Sequence, residues 1–236
     1  MNLVKSIPHS EKTNKKIVYL LKGVGSTDEV FKFLQFDESF KPIIVQWVKP
    51  NQQESVSEYA KRLLPQISDP EPIFIGLSFG GIIAHELSEH FEKAYVILIS
   101  SVKNKSEMPL SHLGKYKYLL KLFSTKHLKR YEFIQNLALR AYAPAHRPVV
   151  ESMIKNLDTE FNDWAIESAI HWNKTTSPKH VIHIHGTDDI LFPISKITNP
   201  IKVQGGSHFM IVEKSEQVSN HIKYALKELL KDKSST

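Results

Sequence analysis

Short apolar runs alternate with amphipathic stretches along most of the chain. Lys16 to Leu21 reads as a buried strand that stops at Gly23, and Pro42 to Val48 reads as a second, bounded by Pro50. Further strands are predicted at Pro72 to Ile75, Ala94 to Ser100, His180 to His185 and Ile201 to Val203. Their near-continuous apolar character is what a sheet covered on both faces requires. Between them, Val56, Tyr59, Ala60, Leu63 and Leu64 fall on one helical stripe, as do Val218, Ile222, Ala225, Leu226 and Leu229. Ser26 to Glu29 has the spacing of a capping box, with Val30, Phe31 and Leu34 following at helical spacing. Strand and helix in alternation predict an α/β fold with a mainly parallel sheet of about six strands, helices on both faces and right-handed crossovers.

One stretch breaks the alternation. From Met108 to Trp172 the pattern is helical with no convincing strand. We expect one domain over 1–236 carrying a helical lid insertion at 103–178, with an ordinary group of packing helices as the alternative. Tyr116, Leu119, Leu120 and Phe123 form one apolar stripe there; Trp164, Ala165, Ala169 and Trp172 form another, which reads as core before it reads as pocket.

Composition narrows the chemistry. With 236 residues, 41% of them hydrophobic, the chain can bury one sizeable core. It has no cysteine, which excludes disulfides, thiolate metal sites and a cysteine nucleophile. No apolar run approaches the roughly 20 residues of a membrane span, and the polar, basic start lacks an apolar core of the secretory type. A cytoplasmic location is the expectation. The formal charge of +6 is uneven: Lys103 to Arg147 holds seven Lys and three Arg against two Glu, a net of +8. That excess is either a solvated face or an attraction for an anionic substrate. No nucleic-acid motif accompanies it.

Gly76-Leu77-Ser78-Phe79-Gly80 carries the strongest chemical signal, because it follows a predicted strand and opens a predicted helix over Ile82 to His90. A sharp strand-to-helix turn exposes a serine hydroxyl beside unpaired helix N–H groups, where an oxyanion can be held. A serine needs a base. Of twelve histidines, His208 lies just past the last apolar strand, in Gly205-Gly206-Ser207-His208-Phe209. The base needs an acid, and Asp188 and Asp189 both follow the fifth strand directly. His183 and His185 share one strand face and His180 the other; core or hydrogen-bonded histidines are the simpler reading than a metal site.

From Lys16 to Lys231 these motifs resemble the α/β-hydrolase superfamily, whose members run serine, acid, histidine in chain order. The resemblance to His-Gly-x-x-Asp in His185-Gly186-Thr187-Asp188-Asp189 implies Asp189 as the triad acid. Gly205-Gly206-Ser207-His208 is similar to the family's Gly-x-Gly-His loop, with serine in place of the last glycine. Where relatives end the first strand in His-Gly-x, this chain has Lys22-Gly23-Val24, which implies Val24 and Phe79 as the oxyanion N–H donors. Only 19 positions separate Asp189 from His208, so the helix usual between them must be reduced. Relatives that open haloalkanes or epoxides place aspartate at the elbow, so serine here implies acyl transfer. The expected function is hydrolysis of a small-molecule carboxylic ester by Ser78, Asp189 and His208 through an acyl-enzyme, with no cofactor and no metal. A thioesterase or acyltransferase on a carrier-bound acyl group, and a silent binding protein, stay open as alternatives, as does the oligomeric state.

Overall fold

A computed structural model describes residues 15–109 and 142–231 of the chain. Six strands form one sheet: β1 (Lys16–Leu21), β2 (Phe40–Ile44), β3 (Ile73–Leu77), β4 (Tyr95–Ile99), β5 (His180–Gly186) and β6 (Ile201–Val203). Their order is β2-β1-β3-β4-β5-β6, and every neighbouring pair is parallel. The chain runs outward from β1 to β2 and then returns past β1 to β3. That reversal opens a crevice at the carboxyl ends of β1 and β3, the place where open parallel sheets bind ligands.

Alternation along each strand divides the core in two. Val18, Leu20, Ile73, Ile75, Ile97 and Ile99 face one side, where α5 (Met210–Glu213) and α6 (Ser215–Lys231) cover them through Met210, Val218, Ile222 and Leu226. Tyr19, Leu21, Phe74, Val96 and Leu98 face the other, under α1 (Val56–Leu63), α2 (Phe79–Ser88) and α4 (Thr159–His171). Strands β3 and β4 are buried along their whole length. Each such Ile, Leu or Val contributes about 1.5–3 kcal/mol of burial.

Three expectations change. The second strand occupies Phe40–Ile44, not 42–48. As the edge strand it tolerates Pro42, which has no N–H to donate. The chain leaves the sheet at Gln46, whose amide goes to Gln66 Oε1 at 2.8 Å. The helix expected to follow a capping box at Ser26–Glu29 is only a single 3-10 turn, Asp28–Phe31, and its N-cap Thr27 makes no side-chain cap. With Thr27 rather than Ser26 as N-cap, Glu29 falls one position short of a capping box and pairs with Lys32 instead, as Asp28 does with Lys22. The capping box that does form is Ser55 with Glu58, at the start of α1.

Of the expected 103–178 insertion, 110–141 lie outside the described residues, and with them the Tyr116–Phe123 stripe and most of the basic positions. The described part is packed. Helix α3 (Arg147–Lys155) buries Val149, Val150 and Ile154. In α4, Ala165 is fully buried, Trp164 donates to the Glu54 carbonyl, and Trp172, which caps the helix, donates to Glu86. That stripe is core. Lys103 belongs to the body as well: it is buried and pairs with buried Glu107.

Candidate active site

Ser78 sits between β3 and α2 with φ 52° and ψ −119°, outside the regions open to an ordinary side chain. The turn closes only because its flanks are glycine. A Cβ on Gly76 would stand 2.4 Å from Gly81 Cα, and one on Gly80 would stand 2.2 Å from the Leu21 carbonyl oxygen. The backbone is then pinned. Ser78 N–H donates to Ile99 O at 2.9 Å, and Ser101 Oγ donates to Ser78 O at 2.7 Å. Ser101 lies at the end of the neighbouring strand, and no motif marked it in the sequence.

His208 stands over the serine. Its Nε2 is 3.0 Å from Ser78 Oγ, and its Nδ1 is 2.8 Å from Asp189 Oδ2. The loop that carries it packs on the loop of the acid: Asp188 N–H donates to Gly206 O at 2.9 Å, and a Cβ on Gly186 would meet Gly206 O at 2.1 Å. Ser207, standing where relatives have glycine, accepts the Phe209 amide and donates to Glu213, which braces the turn. The connection from β5 to β6 contains only a short 3-10 turn, Ile194–Lys196.

The two aspartates part company. Asp188 is exposed and bonded to Thr187 next to it. Asp189 is buried, and its Oδ1 accepts the amides of Leu191 and Phe192, both at 2.9 Å. Burial pushes the Asp189 carboxyl up. The His208 hydrogen bond and charge, the Phe192 amide and the nearby His185 ring together outweigh it, so the net pKa lies below the usual carboxylate range.

Two amides, those of Val24 and Phe79, are the ones expected to hold an oxyanion. Phe79 is the first residue of α2, so its N–H has no acceptor within the helix. Val24 is in the loop after β1, next to Gly23, whose Cβ would come within 3.2 Å of Ser78 Cβ. That loop is tied at both ends. Lys22 Nζ reaches Asp28 at 2.5 Å, and Gly25 N–H donates to Asn162 Oδ1 at 3.0 Å. Lys22 thus replaces the expected histidine with an ion pair. Asn162 lies on α4, 137 positions away, and no local pattern could have marked it. A cleft of about 490 Å³ borders this loop and is walled by Trp47, Val48, Phe161 and Asn162.

No group of three metal-ligand side chains occurs among the described residues. His183 and His185 are hydrogen-bonded to each other at 3.1 Å, and His180 packs on Tyr95. Among the described residues, no helix is long and apolar enough to cross a membrane.

In sequence, no family model and no curated protein matches the chain. Solved structures do. A carboxylesterase from the ammonia-oxidizing thaumarchaeon Nitrososphaera gargenis superposes with a TM-score of 0.72 at 18% identity, covering 94% of this chain and 93% of that one. A thermophilic esterase from Thermogutta terrifontis gives 0.70 at 14% identity, covering 92% and 91%. A bromoperoxidase from Bacillus anthracis gives 0.62 at 15% identity, covering 90% and 92%. Such different names on one architecture mean that the reaction has to be argued from the site. The likeness spans nearly the whole of each chain and agrees with the all-parallel six-stranded sheet: this chain has the α/β-hydrolase fold.

Proposed function

We propose that the protein is a serine hydrolase that cleaves a carboxylic ester of a small molecule, with Ser78 as nucleophile, His208 as base and Asp189 as the acid that orients it. The observation that carries this reading is the unbroken chain Ser78 Oγ, His208 Nε2, His208 Nδ1, Asp189 Oδ2, with links of 3.0 and 2.8 Å, anchored on a strained elbow. Strain of this kind costs on the order of 1–3 kcal/mol and persists where the surrounding structure enforces it. A half-buried hydroxyl held against a histidine is a use for it.

Unprotonated His208 takes the proton of Ser78 as Oγ attacks the ester carbonyl. The N–H groups of Val24 and Phe79 hold the resulting oxyanion, aided by the partial positive charge at the start of α2. When the intermediate collapses, the bond to the alcohol oxygen breaks, and His208 returns its proton to that oxygen. Water then attacks the acyl group on Ser78, losing a proton to His208; the bond to Ser78 Oγ breaks, His208 returns that proton to Oγ, and the carboxylic acid leaves. Asp189, ionised across the neutral range, holds the ring with its proton on Nδ1 and stabilises the imidazolium. No step calls for a metal or a cofactor. The segment 103–178 would serve as the cap over this site. The carboxylesterase and esterase names among the structural neighbours agree with the reaction class.

The test is turnover of p-nitrophenyl esters of graded chain length, beside acyl-coenzyme A, together with labelling by a fluorophosphonate. Wild type should hydrolyse an ester and take the label. Ser78→Ala should lose the label and about 10⁶-fold in kcat. Labelling that survives in Ser78→Ala sinks the assignment, and a preference for acyl-coenzyme A would move the substrate class to thioesters.

A further inference from the structure

Behind Asp189 lies a line of buried polar side chains that the mechanism above leaves unused. His185 Nε2 is 2.7 Å from the Phe192 carbonyl oxygen and 3.5 Å from Asp189 Oδ2, the same oxygen that His208 engages. His185 Nδ1 is 3.1 Å from His183 Nε2. His183 Nδ1 then stands 3.9 Å from Glu107 Oε2. Glu107 is held in turn by the Lys103 amide, by Lys103 Nζ, and by the amide and hydroxyl of Thr198; Lys103 Nζ also donates to the Thr198 carbonyl. Glu107, His183, His185 and Asp189 are each at most 4% exposed. The line joins three segments that meet only in the folded chain: the turn after β4, the strand β5 and the connection from β5 to β6.

Proton accounting fixes the state of His185. A carbonyl oxygen only accepts, so the ring proton is on Nε2 and is donated to Phe192 O. Burial pushes the His185 pKa down, which leaves the ring neutral and Nδ1 bare. His183 Nε2–H must therefore be the donor between the two rings. The consequence falls on Phe192. That residue gives its carbonyl to His185 and its amide to Asp189, while its ring lies against His208 with centroids 5.4 Å apart. Holding the Phe192 carbonyl restrains the residue whose amide holds the acid and whose ring flanks the base.

We propose that His185 is a positioning residue of the site. Its neutral ring, set to the Nε2–H tautomer by His183, clamps the Phe192 peptide and thereby aims Asp189 and His208 at Ser78. This rests on the serine hydrolase reading for its effect on rate, but not for the tautomer. The functional half therefore needs a wild type that turns over ester through Ser78, while the tautomer half stands or falls whatever the protein does.

The first measurement is ¹⁵N NMR of the imidazole rings in the wild-type full chain at neutral pH, with His185 assigned by the signal lost in His185→Gln. A neutral ring protonated on Nε2 is expected. An Nδ1–H tautomer or an imidazolium would overturn the proposal. The second compares His185→Gln with His185→Asn. A glutamine amide reaches the Nε2 position and can still donate to Phe192 O. An asparagine amide reaches only the Nδ1 position, keeping a partner for His183 and releasing Phe192. With folding checked by thermal melting, Gln should stay within a few-fold of wild type. Asn should lose on the order of 10²-fold in kcat with KM little changed, the cost of a small misplacement of catalytic groups. A deshielded proton on His208 Nδ1, read by ¹H NMR, is expected in wild type from its bond to Asp189, and should weaken in Asn and persist in Gln. Equal kcat in the two variants means that His185 is core packing only. If His185→Asn does not fold, the tautomer still decides.

Discussion

The two halves of the site are built by different means. Around Ser78 the geometry is set by exclusion: glycines at 76, 80 and 81 stand where any side chain would enter backbone or the Ser101 side chain. Around Asp189 and His208 one approach is as tight, Gly186 against Gly206 O, but the side chains are set by satisfaction, through buried carboxylates, imidazoles, amides and hydroxyls, almost all with a partner. The elbow is one strand, one turn and one helix, all contiguous. The acid–base half draws on the segment after β4, on β5 and on two loops. An elbow of this kind fails when an atom is added. An acid–base half of this kind fails when a proton or a partner is changed.

The sharpest contrast is expected from Asp189→Asn. It removes one charge without changing volume, and it should keep the fold while lowering kcat by about 10⁴-fold, because the ring of His208 then adopts the wrong tautomer. Asp188→Asn, at the exposed neighbour, should change kcat little. Ester turnover with a melting curve for each variant settles it; comparable losses from both would break the contrast.

Gly80→Ala tests the other half. Its Cβ would lie 2.2 Å from Leu21 O and 2.6 Å from Lys22 O, so β1 and the Val24 loop must move. We expect a loss of about 3 kcal/mol in stability, the upper end of overpacking. Gly205→Ala, in the acid–base half, meets nothing within 4 Å and suffers only from its φ of +65°. It should cost about 1 kcal/mol. Urea unfolding distinguishes them, and equal costs would mean that the elbow is not sterically closed.

The smallest effect is in the pH dependence of stability. Burial holds His85, His183 and His185 below the ordinary histidine value, so the unfolded chain takes up protons first as pH falls. Stability is then full above about pH 6.5 and declines on acidification, with a slope of up to about 1.4 kcal/mol per pH unit for each such histidine. Asp189 has a depressed value, so its share is present above the ordinary carboxylate range and is lost only as pH falls further, through its folded value. Urea unfolding at pH 8, 7, 6 and 5 reads this. A flat profile from 7 to 5 would mean that the buried rings take up protons as readily as in the unfolded chain, contrary to the neutral His183–His185 pair.

Much of this was legible in the sequence, and the physical reason is locality. Strand positions follow from apolar runs, and the elbow follows from glycine spacing around Ser78, since both obey constraints that act within a few residues. Where a local pattern had a tertiary competitor, it misled. Ser26 and Glu29 had the spacing of a capping box, but the turn starts one residue late, at Thr27, and Glu29 pairs with Lys32, while Ser55 and Glu58, with the same spacing, formed the box. Pro42 to Val48 looked like one strand, yet the sheet edge ended at Ile44 because Gln66 captured the Gln46 amide.

The sequence by itself determined the α/β alternation and the sharp serine turn, and it offered one candidate histidine and two candidate aspartates. Only the tertiary structure decided which carboxylate was buried against His208, that Asn162 would hold the Val24 loop from 137 positions away, and that His183, His185, Glu107 and Lys103 would stand in line behind the acid. Hydrogen-bond partners so far apart in the chain leave no periodicity, because what selects them is the cost of leaving a buried polar group unpaired once the core has closed.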